Sequence, residues 1–151
     1  MTLKVAIACD HGGFQLKNFL KENYKGVAVE WVDLGTDSEE SVDYPDFGFA
    51  VSNAVADGKA DYGVAICGTG IGISIAANRH PAVRAAVCTN TTMARLTRID
   101  NNANVLCLGA RIVGNLVAMD CLHTFLTTEF ETGGRHERRT NKLGKTLEGA
   151  A

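Results

Sequence analysis

Cys67 ends an apolar run, Gly63-Val64-Ala65-Ile66, and glycines follow it at alternate positions: Gly68, Gly70 and Gly72, with Thr69 between the first two. The pattern predicts a strand, a tight turn and the start of a helix. Glycine lets backbone N–H groups approach a ligand closely, and a helix N-terminus favours negative charge. A thiol beside such a turn is biased towards its thiolate. The chemistry this combination serves is proton abstraction, with stabilisation of the oxyanion that abstraction creates. The spacing is neither the Gly-x-Gly-x-x-Gly dinucleotide fingerprint nor a P-loop. A cysteine at a strand end also serves as ordinary packing.

Other segments carry chemically useful groups. Asp10 and His11 follow an apolar run and precede Gly12-Gly13. They read as a carboxylate that orients a hydroxyl and an imidazole that contacts substrate, or as a helix cap with an exposed neighbour. Around Tyr44, Pro45 and Asp46 supply helix-start chemistry, which leaves Tyr44 as a pocket wall. Asp100 and Asn101 belong to the stretch Arg98–Asn104, whose Asn and Asp content is that of a turn. Gly109-Ala110-Arg111 and Gly133-Gly134-Arg135-His136-Glu137-Arg138-Arg139 bring guanidinium groups. Arg135 and Arg139 share a face if helical. Together they can grip one phosphate, or form a solvated basic face.

These residues need a scaffold that gathers them. Strand signals recur at Val5–Cys9, Ala28–Asp33, Tyr62–Cys67, Ala85–Cys88 and Val105–Leu108. Helical patterns fall between and after them, at Gly13–Asn23, Pro45–Asp57, Gly72–Ala77, Thr91–Ile99 and Val113–Thr127. The alternation predicts one α/β domain over residues 1–151, a three-layer sandwich around a parallel sheet of about five strands. Tyr62–Cys67 and Ala85–Cys88 are apolar throughout, as strands buried on both faces are. Residues 133–151 read as a C-terminal arm with a helix-like tail, frayed over 148–151. In such sheets ligands bind beyond the carboxyl ends of the strands. Asp10-His11, Cys67–Gly72, Thr89–Thr92 and Gly109–Arg111 all fall there.

The chain has 151 residues, enough for one self-sufficient core. Its net charge of −2 points to no nucleic-acid or membrane surface. No apolar stretch spans a bilayer, and the N-terminus leads directly into a strand, so a cytoplasmic protein is expected. Five cysteines occur with no Cys-x-x-Cys, which excludes zinc-ribbon and thioredoxin-type sites. Cys9, Cys88 and Cys107 read as small buried hydrophobes. No metal-ligand spacing is present. His11, His80, His123 and His136 are available for a cysteine-hydrolase pairing, but no local signature marks one of them.

As a set and in this order, Ala8–Gly13, Asp43-Tyr44-Pro45, Ile66–Ser74, Asn101–Asn104, Gly109-Ala110-Arg111 and Gly133–His136 resemble the type B ribose-5-phosphate isomerases, a group that includes allose- and galactose-6-phosphate isomerases. The resemblance covers residues 3–147. It implies a Rossmann-like fold, a homodimer with dimer or tetramer left open, and no metal or cofactor. The reaction implied interconverts ribose 5-phosphate and ribulose 5-phosphate, with the hexose phosphates as alternative substrates. Cys67 matches the general base, and backbone N–H groups around Gly68, Gly70 and Gly72 match the anion hole. Thr69 matches a residue assisting proton movement between O1 and O2. Asp10 matches a hydroxyl ligand, and His11, Arg111, Arg135 and Arg139 match phosphate ligands. Some come from the second subunit. One departure stands out: Asp100 occupies the position of a ring-opening histidine. A non-catalytic phosphosugar-binding module shares every feature except the need for a thiol.

Overall fold

A computed structural model of the chain describes residues 1–145 and Leu147; the fraying expected at 148–151 lies outside the described residues. Five strands are present: β1 (Leu3–Cys9), β2 (Val29–Asp33), β3 (Tyr62–Cys67), β4 (Ala85–Val87) and β5 (Val105–Gly109). They form one parallel sheet in the order β2-β1-β3-β5-β4. Six α-helices accompany it: α1 (Phe14–Asn23), α2 (Tyr44–Ala56), α3 (Ile71–Ala77), α4 (Thr91–Asn101), α5 (Asn115–Thr127) and α6 (Arg135–Thr140).

Side-chain alternation along the strands builds two unlike cores. Val5, Ile7, Val64, Ile66, Leu106 and Leu108 face α1, α4 and α5, where Leu20, Leu122 and Phe125 complete the packing. Ala6, Ala8, Ala65, Cys67 and Cys107 face α2 and α3. The second set is smaller, and α2 packs close upon it: at Gly63 on β3 a Cβ would lie within 2.4 Å of Val51 Cγ1. At Gly48 on α2 a Cβ would lie 2.8 Å from Ala76 Cβ of α3. Cys67 therefore belongs to the thin side of the sandwich.

Chain direction sets the crevice. From β1 the chain turns towards α1 on one face, and from β3 towards α3 on the other. Neighbouring strands whose exits diverge leave an opening at their carboxyl ends. Two buried cations brace the surroundings. Lys17 donates to Asp33 Oδ1 at 2.8 Å and to the Thr36 carbonyl at 2.7 Å, holding the segment after β2 beside the end of β1. Arg98, 4% exposed, donates to Asn102 Oδ1, to the carbonyls of Ala103 and Thr128, and to the Tyr62 hydroxyl. It ties the end of α4 to β3 and α5.

Three expectations change. Ala85–Cys88 is not a doubly covered strand: β4 is a half-buried edge, and only Cys88 just beyond it is buried. Ala85 and Val87 pack towards the α2–α3 core and Ala86 towards the other, but the edge position leaves all three half-exposed. The turn expected around Asp100 and Asn101 begins later, because α4 runs to Asn101 and Asn102 caps it in the left-handed region at φ 46°. The C-terminal tail is helical only over Arg135–Thr140 and continues as turns.

Phe125 is fully buried and meets the Tyr62 ring edge-on at 5.6 Å. Phe125→Ala is expected to lower the unfolding free energy by about 3–5 kcal/mol in urea titration. A loss below about 1 kcal/mol would mean that this core collapses readily around the gap.

Candidate active site

The β3–α3 turn is shaped by contacts only glycine allows. Gly70 sits at φ 77°, and a Cβ there would lie 2.9 Å from the Leu108 carbonyl carbon. At Gly109 a Cβ would lie 2.5 Å from the backbone of Thr69. The turn is thus laid backbone on backbone across the end of β5. The Ala110 N–H donates to the Cys67 carbonyl and the Arg111 N–H to the Gly68 carbonyl, each at 2.9 Å. Arg111 is thereby placed beside the turn, its side chain lying across Gly68.

The end of β1 closes the other wall. The Asp10 N–H donates to the Ile66 carbonyl at 3.1 Å, and Asp10 Oδ1 accepts from the Gly12 N–H at 2.9 Å. Asp10 therefore caps the 3₁₀ turn His11–Gly13 and also lines the crevice. His11 Nδ1 accepts from the Val42 N–H at 3.2 Å. That bond leaves Nε2 as the donor of the neutral ring. Tyr44, in the first turn of α2, lies against Gly72, where a Cβ would come within 2.8 Å of its ring.

Asp10, His11, Gly12, Tyr44, Cys67, Gly68, Thr69, Gly72 and Arg111 enclose a cavity of about 210 Å³. Cys67 is 4% exposed and lies at its floor. The Gly70 N–H donates to Cys67 Sγ at 3.1 Å, a contact suited to negative charge on sulfur. The Ile71 N–H donates to Thr69 Oγ1 at 3.2 Å. Gly70 thus supports the sulfur from behind and does not line the cavity.

The other cysteines are chemically distinct. Burial pushes the Cys9 thiol up to about 11 and the Cys88 thiol up to about 12. Burial also raises Cys107 and Cys121. Among the described residues no hydrogen bond joins Cys67 to a histidine, which removes the basis for a cysteine-hydrolase pairing. No group of three or more His, Cys, Asp or Glu able to hold a metal occurs among them.

Four candidates lie elsewhere in the single chain. Asp100 and Asn101 sit at the end of α4, and Arg135 and Arg139 on α6 packed against it. Asp100 Oδ1 is 3.7 Å from His136 Nε2. Asn101 borders a separate cavity of about 420 Å³ beside β4, which contains His80 and Arg84 but no thiol or carboxylate. The Thr89–Thr92 cluster is also absent from the Cys67 cavity. β5 separates β4 from β3, and Asn90 is engaged in capping α4 through the Met93 N–H at 2.9 Å. Two contributors escaped sequence reasoning: Gly12, whose signal was the Gly-Gly after His11, and Gly109, whose closeness to Thr69 is purely tertiary.

The fold and cavity define an α/β domain with a small cavity of polar groups beside a thiol at the carboxyl ends of its strands. The chain belongs to the ribose/galactose isomerase family, whose sequence model matches residues 5–143. It is 44% identical over 140 residues to ribose-5-phosphate isomerase B of Escherichia coli, covering 93% of each chain. The solved ribose-5-phosphate isomerase B of Clostridium thermocellum superposes with a TM-score of 0.86 at 52% identity, covering 94% of this chain and 95% of that one. The Thermotoga maritima ribose 5-phosphate isomerase gives 0.89 at 49% identity, over 95% of this chain and 99% of that one.

Because Cys67 lines a cavity while burial raises the other thiols, iodoacetamide at mild alkaline pH is expected to label Cys67 first. Peptide mass spectrometry reads this out, and inorganic phosphate at high concentration should slow it. Equal labelling of Cys9 or Cys88 would contradict the assignment.

Proposed function

We propose that this protein is an aldose–ketose isomerase that interconverts ribose 5-phosphate and ribulose 5-phosphate in the cytoplasm. The observation that carries the reading is the cavity itself: a thiol on its floor, an acid and an imidazole on one wall, a guanidinium and a glycine turn on the other. Family membership supplies the reaction class.

The chemistry follows from the groups present. Cys67 as thiolate takes the proton from C2 of the open-chain aldose. The C2–H electron pair forms the C1–C2 double bond, and charge moves onto O1. The enediolate must be stabilised as it forms; the backbone of Gly68 and Thr69 and the Arg111 guanidinium adjoin that position. Thr69 relays a proton from O2 to O1. The Cys67 thiol then returns its proton to C1, and C2 becomes the carbonyl. Asp10 accepts from a sugar hydroxyl, and His11 and Arg111 meet the phosphate.

The site is completed by a second copy in a homodimer. Ile71 and Ile75, four residues apart on α3, are 57% and 55% exposed, and Phe49 on neighbouring α2 is exposed too. This apolar patch adjoins the cavity through α3. A partner covering it brings Asn101, Arg135 and Arg139 of the partner subunit to the open rim, where the arginines grip the phosphate.

The test is conversion of ribose 5-phosphate in the presence of EDTA, with allose 6-phosphate alongside. Pentose turnover supports the reading. Turnover of the hexose alone would reassign the substrate, and silence on both would leave a binding module. Cys67→Ala is expected to lower turnover about a thousandfold or more without changing the circular dichroism spectrum. Mixing Cys67→Ala with Arg139→Ala subunits, each impaired alone, should restore turnover through hybrid dimers. No recovery after subunit exchange would place each site within one chain.

A further inference from the structure

Lys17 has no part in the chemistry derived above, yet its side chain is 1% exposed. It stands on the core-facing stripe of α1 with Leu16 and Leu20. A charge in such a place must be paired, and a buried ion pair contributes little net stability beside a well-packed apolar residue. What this pair fixes is geometry. The Lys17 ammonium donates to Asp33 Oδ1 at 2.8 Å and to the Thr36 carbonyl at 2.7 Å. Asp33 Oδ1 also accepts from the Gly35 N–H at 3.0 Å. The Gly35–Thr36 step is thereby held along the end of β1. There the Cys9 N–H donates to the Gly35 carbonyl at 2.8 Å and the Thr36 N–H to the Cys9 carbonyl at 2.9 Å.

From this anchor the chain runs to α2 as a mostly exposed strap, residues 37–43. Among the described residues, two hydrogen bonds tie residues 37–42 to the rest of the chain. One is exposed, between the Gln15 side-chain amide and Glu39 Oε1 at 2.5 Å. The other is the bond from the Val42 N–H to His11 Nδ1 at 3.2 Å, and among the described residues the His11 ring has no second hydrogen bond. The place of Val42, and with it the state of the His11 ring, therefore depends on where the strap is anchored. His11 lines the Cys67 cavity, so an anchor on the far side of β1 reaches the site through the strap.

We propose that Lys17 is a positioning residue for His11: its ammonium anchors the strap at Thr36, so that the Val42 N–H meets His11 Nδ1 and the ring keeps its proton on Nε2 for the substrate phosphate. The phosphate contact rests on the function proposed above; the hydrogen bonds do not. Without the Val42 bond neither ring nitrogen is committed, and the neutral imidazole populates both tautomers. In one of them Nε2 is a bare lone pair, which repels an anion instead of donating to it. The effect therefore falls on binding. Cys67 has its own support in the Gly70 N–H, which the strap does not touch.

The experiment reads the His11 tautomer by nitrogen NMR at mild alkaline pH, and KM and kcat for ribose 5-phosphate. It compares the wild type, Lys17→Met, Lys17→Met/Asp33→Asn, His11→Ala, Lys17→Met/His11→Ala and a variant with two glycines inserted between Glu39 and Glu40. Lys17→Met/Asp33→Asn leaves no unpaired buried charge, so it folds where Lys17→Met alone fails. The insertion slackens the strap and leaves the buried pair intact. The wild type should show the Nε2–H tautomer alone. The Lys17 variants and the insertion should each show both tautomers and a KM raised about tenfold or more, the loss of one hydrogen bond to a charged group, with kcat nearly unchanged. In the His11→Ala background, which also assigns the NMR signals, Lys17→Met should raise KM no further. A single Nε2–H tautomer retained in the Lys17 variants overturns the proposal, whatever happens to stability. So does an insertion that leaves His11 unchanged, or a KM that rises by the same factor without His11. Failure of both Lys17 variants to fold would make the residue purely structural and overturns it too. A wild-type protein without turnover would instead defeat the isomerase reading, while the tautomer spectra still decide the role of Lys17.

Discussion

The contact between Thr69 and Gly109 organises the site. At this point the β3–α3 turn lies directly on the end of β5, closer than any side chain would permit. Because the turn cannot lift, Gly70 is driven into the left-handed region and its N–H is aimed at Cys67 Sγ. The two bonds from Ala110 and Arg111 to the carbonyls of Cys67 and Gly68 follow from the same closeness. The ends of β3 and β5 are thereby locked together before any ligand arrives. Such preorganisation lets a site stabilise developing charge without rearranging during reaction.

The sandwich sets the character of the thiols. Cys9, Cys88 and Cys121 pack among large residues on one face, and Cys107 lies within the sheet's alanine-rich side. Burial disfavours their charged forms. Cys67 shares the thin face with Cys107 but lies at a strand end, where the crevice between β1 and β3 opens. Position along the strand, and not residue type, separates the cavity-lining cysteine from the packing ones.

The single chain holds its functional groups in two places. The cavity offers a thiol, an acid, an imidazole and one guanidinium. The α4–α6 edge offers two more guanidinium groups and the Asp100–His136 pair. The exposed isoleucines of α3 lie beside the cavity. Burying them against a second copy would remove apolar surface from water and bring the two sets together.

Much of this was legible in the residues alone. The alternation of apolar runs and helical patterns determined five strands, the helices between them and the parallel sheet, because hydrophobic periodicity is a local property of the chain. Cys67, Gly68, Gly72, Asp10, His11, Tyr44 and Arg111 line one cavity, and most were legible as candidates because strand-end loops are where such folds bind ligands. Tertiary structure decided the rest. Strand order placed β4 at an edge and removed Thr89–Thr92 from the site. Packing across β5 aimed the Gly70 N–H at the sulfur of Cys67. The approach of α6 to α4 joined Asp100 to His136, thirty-six positions along the chain. Register, close backbone approach and helix-on-helix placement depend on residues distant in sequence, so no local pattern encodes them.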